Sequence, residues 1–224
     1  MHRVMTGYGI PSSAVREIEY GEHKAFLIAR HGDGLGIPAH LVNYRANMMA
    51  LKMMGVTSVL SLNTVGVIAA GQYPGQLAVP QQLIDYTYGR DHSIHDGKSA
   101  NLQHIDFSAP FCPDLRRAIL RAAGAAEIEC HDAGVYAVTQ GPRLETAAEV
   151  ERLQRDGADY VGMTAMPEAS LAVELGMRYA CLSLLVNYAA GRGETAIHEQ
   201  IEATTMTAKL QAIKVLREFF RQAP

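Results

Sequence analysis

The run from Arg178 to Val186 reads Arg-Tyr-Ala-Cys-Leu-Ser-Leu-Leu-Val and is apolar almost without a break. A half-exposed strand would alternate apolar and polar residues. A continuous apolar run of this length fits a strand covered on both faces, and that situation belongs to parallel sheets sandwiched by helices. Other short β-branched runs alternate with helical stretches along the chain. Ala25–Ala29, Val56–Leu62, Gly75–Val79, Val135–Thr139 and Ala158–Met163 read as strands. Asn43–Met54, Pro113–Ala123, Glu145–Arg155, Pro167–Leu175 and His198–Arg221 read as helices. Gly55, Gly124 and Gly176 stand where helices stop, and Pro113 stands at a first turn. The expected fold class is α/β: one domain over 1–224, with a mixed, largely parallel β-sheet flanked by helices.

A chain of 224 residues fits one such domain. A formal charge of −3 gives no electrostatic case for nucleic acid or an anionic membrane. No apolar run approaches the ~18 residues of a membrane span. The start of the chain has no apolar signal-peptide core. Cys112, Cys130 and Cys181 lack metal-ligand spacing and read as free thiols of a cytoplasmic protein. His92-Ser93-Ile94-His95 has a spacing seen in zinc sites but no further ligands, so no metal is expected.

Ligands of open α/β sheets bind beyond the carboxyl ends of the strands. Polar residues gather at five such ends: Arg30-His31, Asn63-Thr64, Gln140 to Glu145, Thr164 and Asn187. Taken singly, each has a plain structural explanation. Glu145 fits a helix N-terminus, and Thr164 fits a cap for the helix starting near Pro167. The four methionines between Met48 and Met54 read as helix packing.

The segments Arg30-His31-Gly32, Val42-Asn43-Tyr44-Arg45-Ala46-Asn47, Asn63-Thr64-Val65-Gly66, Gln140-Gly141-Pro142-Arg143-Leu144-Glu145-Thr146 and Gly162-Met163-Thr164-Ala165-Met166-Pro167-Glu168 occur in that order. With them the chain resembles the purine nucleoside phosphorylase and methylthioadenosine phosphorylase family from about Thr6 onward. The Gly-Pro-Arg-Leu-Glu-Thr wording is most similar to the 6-oxopurine branch, the bacterial S-methyl-5′-thioinosine phosphorylases. The resemblance implies cleavage of a nucleoside by inorganic phosphate, without cofactor or metal, in a cytoplasmic homotrimer of purine salvage. It assigns phosphate binding to Arg30, His31, Asn63, Thr64 and Thr164. Met163, Leu144 and Ala189 would contact the nucleoside. Glu145 and Asn187 would hold the base, and His104 would reach a neighbour's sugar site.

The base assignment has a chemical logic. A 6-oxopurine carries a proton on N1, which a carboxylate can accept, and acceptors at O6 and N7 that an amide can serve. Adenine shows the reverse pattern and would leave a buried carboxylate unpaired, at a cost of ~1–3 kcal/mol. Family members that use adenine carry a small hydroxyl and an Asp at the positions of Glu145 and Asn187.

Two points depart from the family pattern, one at the N-terminus and one at Asp33-Gly34-Leu35-Gly36, where relatives often carry a histidine-containing stretch. The first strand and a Gly-Gly-Ser/Thr-Gly phosphate loop are absent before Tyr8, so the domain is expected to be N-terminally truncated. The alternative reading is therefore a catalytically impaired purine-binding relative. A water-using nucleosidase would need a carboxylate base near the sugar, and no residue suits. The 5′ substituent has two readings: the overall wording implies methylthioinosine, while His198, by its segment, implies inosine or guanosine.

Overall fold

The computed structural model describes residues 1–21, 23–95, 97 and 102–222. The chain opens with an antiparallel hairpin, β1 (Arg16–Tyr20) and β2 (His23–Leu27), that pairs with nothing else among the described residues. Helix α1 (Tyr44–Met53) follows, then β3 (Ser58–Val67), β4 (Leu77–Val79) and β5 (Gln82–Asp85). Next come α2 (Pro113–Ala125), β6 (Cys130–Asp132), β7 (Val135–Val138), α3 (Ala147–Arg155) and β8 (Tyr160–Gly162). The chain closes with α4 (Ala165–Glu174), β9 (Arg178–Tyr188) and α5 (Ile197–Arg221).

Seven strands form one sheet in the order β5-β7-β8-β3-β9-β4-β6. β3 and β9 run parallel along their whole length at its centre, and β5-β7-β8 are parallel among themselves. Two junctions are antiparallel, β3 with β8 and β4 with β9. The sheet is thus mixed and largely parallel.

β9 is buried on both faces, as its composition requires. Tyr179, Cys181 and Leu185 join Tyr44, Met48 and Leu171 of α1 and α4 in one core. Ala180, Leu182, Leu184 and Val186 meet Ile119 of α2 and Ala208, Ala212 and Val215 of α5 in the other. This split is the two-residue period of a strand read in three dimensions. Burying each large apolar side chain contributes ~1.5–3 kcal/mol. A third cluster holds Val150 and Leu153 of α3 against Ala137 and Val161.

Several boundaries differ from those the sequence suggests, and the differences bear on the site. The first expected strand, Ala25–Ala29, is instead β2, which ends at Leu27 and lies outside the main sheet. β3 does not end at Leu62 but continues through Asn63-Thr64-Val65-Gly66, because β9 keeps pairing with it. Asn187 likewise lies inside β9, opposite Gly66, where the register slips between Val65 and Gly66. The helix after β7 starts at Ala147 and not at Glu145. Thr146 caps it, accepting from the Glu149 amide at 3.2 Å, while the Glu149 carboxylate accepts from the Thr146 amide at 2.7 Å. Pro113 begins α2 as expected, but Gly124 lies within that helix. Short strands β1, β5 and β6 carry too little pattern to be read from sequence.

Candidate active site

Because β8 runs against β3, the site does not lie at one common row of carboxyl ends. It forms where the ends of β7 and β8 meet the slipped register of β3 and β9. There an open cavity of about 650 Å³ is lined by residues from six segments, the five that carry the polar strand ends and helix α5. Arg30 and His31, Asn63 and Thr64, Leu144 and Glu145, Met163 and Thr164, and Asn187 and Ala189 all line it. That volume suits a ligand of nucleoside size.

The base end is built from two backbone devices. The capping of α3 by Thr146 leaves Glu145 outside the helix, where its carboxylate accepts from the Thr139 hydroxyl at 2.6 Å. Asn187 donates from Nδ2 to the Tyr188 carbonyl at 2.7 Å. Its Oδ1 accepts no bond among the described residues, so the amide keeps one N–H and its oxygen for a ligand. Gly66 makes room for it: a Cβ there would sit 3.1 Å from Asn187 Nδ2 and 3.3 Å from Val161.

The anion end is less simple than the sequence suggests. Arg30 is not an unpaired cation. Its Nε and Nη2 donate to the two oxygens of Glu168 at 2.5 and 2.9 Å. Nη2 also donates to the Ser61 hydroxyl at 2.6 Å, and Nη1 to the Leu62 carbonyl at 3.1 Å. Among the described residues one N–H of Nη1 stays uncommitted out of the guanidinium's five. Burial works against the charged form of Arg30, but the Glu168 carboxylate outweighs it and holds the pKa above its ordinary value. Glu168 also accepts from the Tyr179 hydroxyl at 2.8 Å, and burial pushes that phenol's pKa well up.

His31 Nδ1 donates to the Ile37 carbonyl at 2.8 Å. A carbonyl can only accept, so Nδ1 carries the proton and Nε2 is left for a ligand. Thr164 is buried, and its hydroxyl makes no cap bond to α4. The sequence-suggested start of that helix at Pro167 is where regular geometry begins, since Met166 is extended. Thr64 is exposed to the cavity. Asn63 lines the cavity but is partly engaged elsewhere: Oδ1 accepts from Ser183 at 2.7 Å, and Nδ2 is enclosed without a partner among the described residues. Neighbours on a strand point to opposite faces, and of the two it is Thr64 that lies exposed in the cavity while Asn63 lines it from a buried position.

Two expected residues lie away from the cavity. His198 is exposed and does not line it, whereas its neighbours on α5, Ile197 and Ile201, do. With Leu184 and Val186 they make an apolar patch on that wall, which Lys209 of α5 also lines. His104 is exposed and does not line this cavity. Sequence reasoning gave no role to Glu168, Ser61 or Thr139. Glu168 and Thr139 lie in or beside the matched segments, but their partners are set by chain crossings that no local pattern reveals. Among the described residues no three His, Cys, Asp or Glu side chains are placed to hold a metal ion. No helix among them is long and apolar enough to cross a membrane.

The pattern known as the phosphorylase superfamily matches residues 6–221. A protein of Xanthomonas campestris pv. campestris named "Probable S-methyl-5'-thioinosine phosphorylase" is 48% identical over 193 residues, 86% of this chain and 77% of that protein. A "Probable 6-oxopurine nucleoside phosphorylase" of Thermococcus kodakarensis is 39% identical over 218 residues, 95% of this chain and 81% of that protein. The crystal structure of a methylthioadenosine phosphorylase from an antarctic soil metagenomic library superposes with a TM-score of 0.92 at 30% identity, covering 98% of this chain and 78% of that one.

Proposed function

The chain belongs to the phosphorylase superfamily, and within it we propose that it cleaves a 6-oxopurine nucleoside with inorganic phosphate, giving the free base and a ribose 1-phosphate. The observation that carries this reading is the shared cavity. Glu145 and Asn187 line the same space as Arg30, His31, Thr64 and Thr164.

In the reaction a phosphate oxygen bonds to the anomeric carbon while the bond from that carbon to N9 breaks. The bonding electrons pass to the purine, which takes a proton as it leaves. Asn187 stabilises the charge growing at N7 and O6, a role worth ~3–4 kcal/mol for one preorganised donor. Glu145 accepts from N1–H. Thr64 and Thr164 donate hydroxyls to phosphate, and His31, whose Nδ1 holds the proton, accepts at Nε2 from the P–OH of hydrogen phosphate. Arg30 supplies one N–H, and its bond to Glu168 fixes the direction of that N–H. Holding the phosphate in line with the anomeric carbon supplies much of the remaining acceleration.

Ile197 and Ile201 favour a 5′-methylthio group over a 5′-hydroxyl, because their side chains pack against a methyl group and offer a hydroxyl no partner. The preferred substrate is therefore S-methyl-5′-thioinosine. The enzyme acts in cytoplasmic purine salvage as a homotrimer, with His104 reaching the sugar site of a second copy.

The test is base release from S-methyl-5′-thioinosine and from inosine, each with and without phosphate. The reading expects release only with phosphate, and faster from the methylthio compound. No release from either, or equal release without phosphate, overturns it. The pairing of Arg30 with Glu168 is the one observation on the side of a binding-only relative. Calorimetry separates the two: a binding-only protein takes up hypoxanthine with an affinity that phosphate does not change.

A further inference from the structure

We propose that Arg90 is a positioning residue that locks the base half and the phosphate half of this site into one geometry; the inference rests on the function proposed above. Arg90 follows β5 in the segment Gly89-Arg90-Asp91 and does not line the cavity of the candidate site. Its guanidinium donates from Nη2 to the carbonyls of Gln140 at 2.8 Å and Thr139 at 3.2 Å. Nη1 donates to the carbonyls of Met163 at 2.7 Å and Met166 at 2.6 Å. Nε donates to the Gln140 side chain at 3.1 Å.

No carboxylate is among these partners. The charge is balanced by carbonyl dipoles from two separate connections, one after β7 and one after β8. The first leads directly to Glu145, and the second brackets Thr164. The guanidinium also lies 5.5 Å from the centre of the Tyr44 ring, and the Tyr44 hydroxyl donates to Ala39, a lining residue on a third wall. A planar fork with donors on two edges suits this task; a lysine ammonium could reach one connection but not hold both. Arg116 makes a useful contrast, since it also binds two carbonyls but pairs with Asp132 and lies away from the cavity.

The binding energy of one half of the substrate can orient the other only if both walls are fixed relative to each other. Arg90 supplies that connection without touching the ligand. A merely structural arginine would affect global stability and leave a folded variant's kinetics intact.

The test compares Arg90→Lys and Arg90→Ala with the parent chain. Amide hydrogen exchange is followed in 139–146 and 162–166, and phosphorolysis is measured in parallel. In both variants the two segments are expected to exchange faster together, by at least about tenfold, the worth of one hydrogen bond to a charged group, while α2 and β4 stay protected. The kcat/KM falls at least as much, the KM values for nucleoside and phosphate both rise, and added guanidinium restores part of the Arg90→Ala loss. Unchanged exchange, a change confined to one segment, or parent-like kinetics in a folded variant overturns the inference. Should Arg90→Ala not fold, Arg90→Lys decides alone. Should the parent chain show no phosphorolysis, the proposed function fails, and the exchange result still decides the linkage.

Discussion

Arg30 and Glu168 face each other through two hydrogen bonds, at 2.5 and 2.9 Å, with side chains only 15% and 7% exposed. The cation of the anion end is therefore held by a buried counter-charge before any ligand arrives. Removing one partner of such a pair leaves an uncompensated buried charge. Glu168→Ala is expected to destabilise the protein by ~3–5 kcal/mol. Phosphate would then replace the missing negative charge and stabilise the variant more than the parent. Denaturant melts with and without phosphate check this; equal stabilisation of the two proteins contradicts it.

Gly66 lies opposite Asn187 in the paired strands, and a methyl group there meets the Asn187 amide at 3.1 Å. The backbone at Gly66 is not in the left-handed region, so alanine adds no torsional strain. Gly66→Ala is expected to fold normally, to displace Asn187 by a few tenths of an ångström and to lower kcat/KM on the order of tenfold to a hundredfold. Steady-state kinetics beside a thermal melt separates the two effects. Unchanged kinetics would mean that Asn187 has no positional role.

Ile201 belongs to the apolar patch of the cavity. Ile201→Ser gives a 5′-hydroxyl a partner and weakens packing against a methylthio group. The ratio of kcat/KM for S-methyl-5′-thioinosine over inosine is expected to fall by roughly tenfold, within the range one apolar group contributes to discrimination. A ratio that does not move places the 5′ end elsewhere.

Burial pushes the thiols of Cys130 and Cys181 up from 9 to about 12. In the unfolded chain they ionise near their ordinary value, while in the folded chain they stay protonated. Above that ordinary value the folded state therefore holds protons that the unfolded state has lost. Their contribution to stability is full at neutral pH and declines as pH rises toward about 12. Urea unfolding at pH 7 and pH 10 is expected to show a drop that the double variant Cys130→Ala, Cys181→Ala reduces. An equal drop in both proteins contradicts the assignment.

Much of this molecule was legible before its structure. The unbroken apolar character of Arg178–Val186 announces a strand buried on both faces, and β9 sits at the sheet centre with a helix layer on each side. The matched segments bring the polar strand ends to one cavity. What stayed hidden depends on long-range partners. Nothing local to Arg30 indicates that Glu168 will neutralise it. Nothing near Asn63 shows that its amide turns to Ser183. Arg90 reads as an ordinary turn residue until two distant connections close around it. The carboxyl-end rule also fails in detail, because β8 runs antiparallel to β3 and brings the end of β7–β8 against the middle of the sheet.

The most direct measurement compares kcat/KM for S-methyl-5′-thioinosine with that for S-methyl-5′-thioadenosine at one phosphate concentration. With Glu145 accepting from N1–H and Asn187 serving O6 and N7, the hypoxanthine nucleoside is expected to win by roughly tenfold to a hundredfold or more, the cost of an unpaired buried group. A ratio at or below one would contradict the assignment of these two residues to a 6-oxopurine.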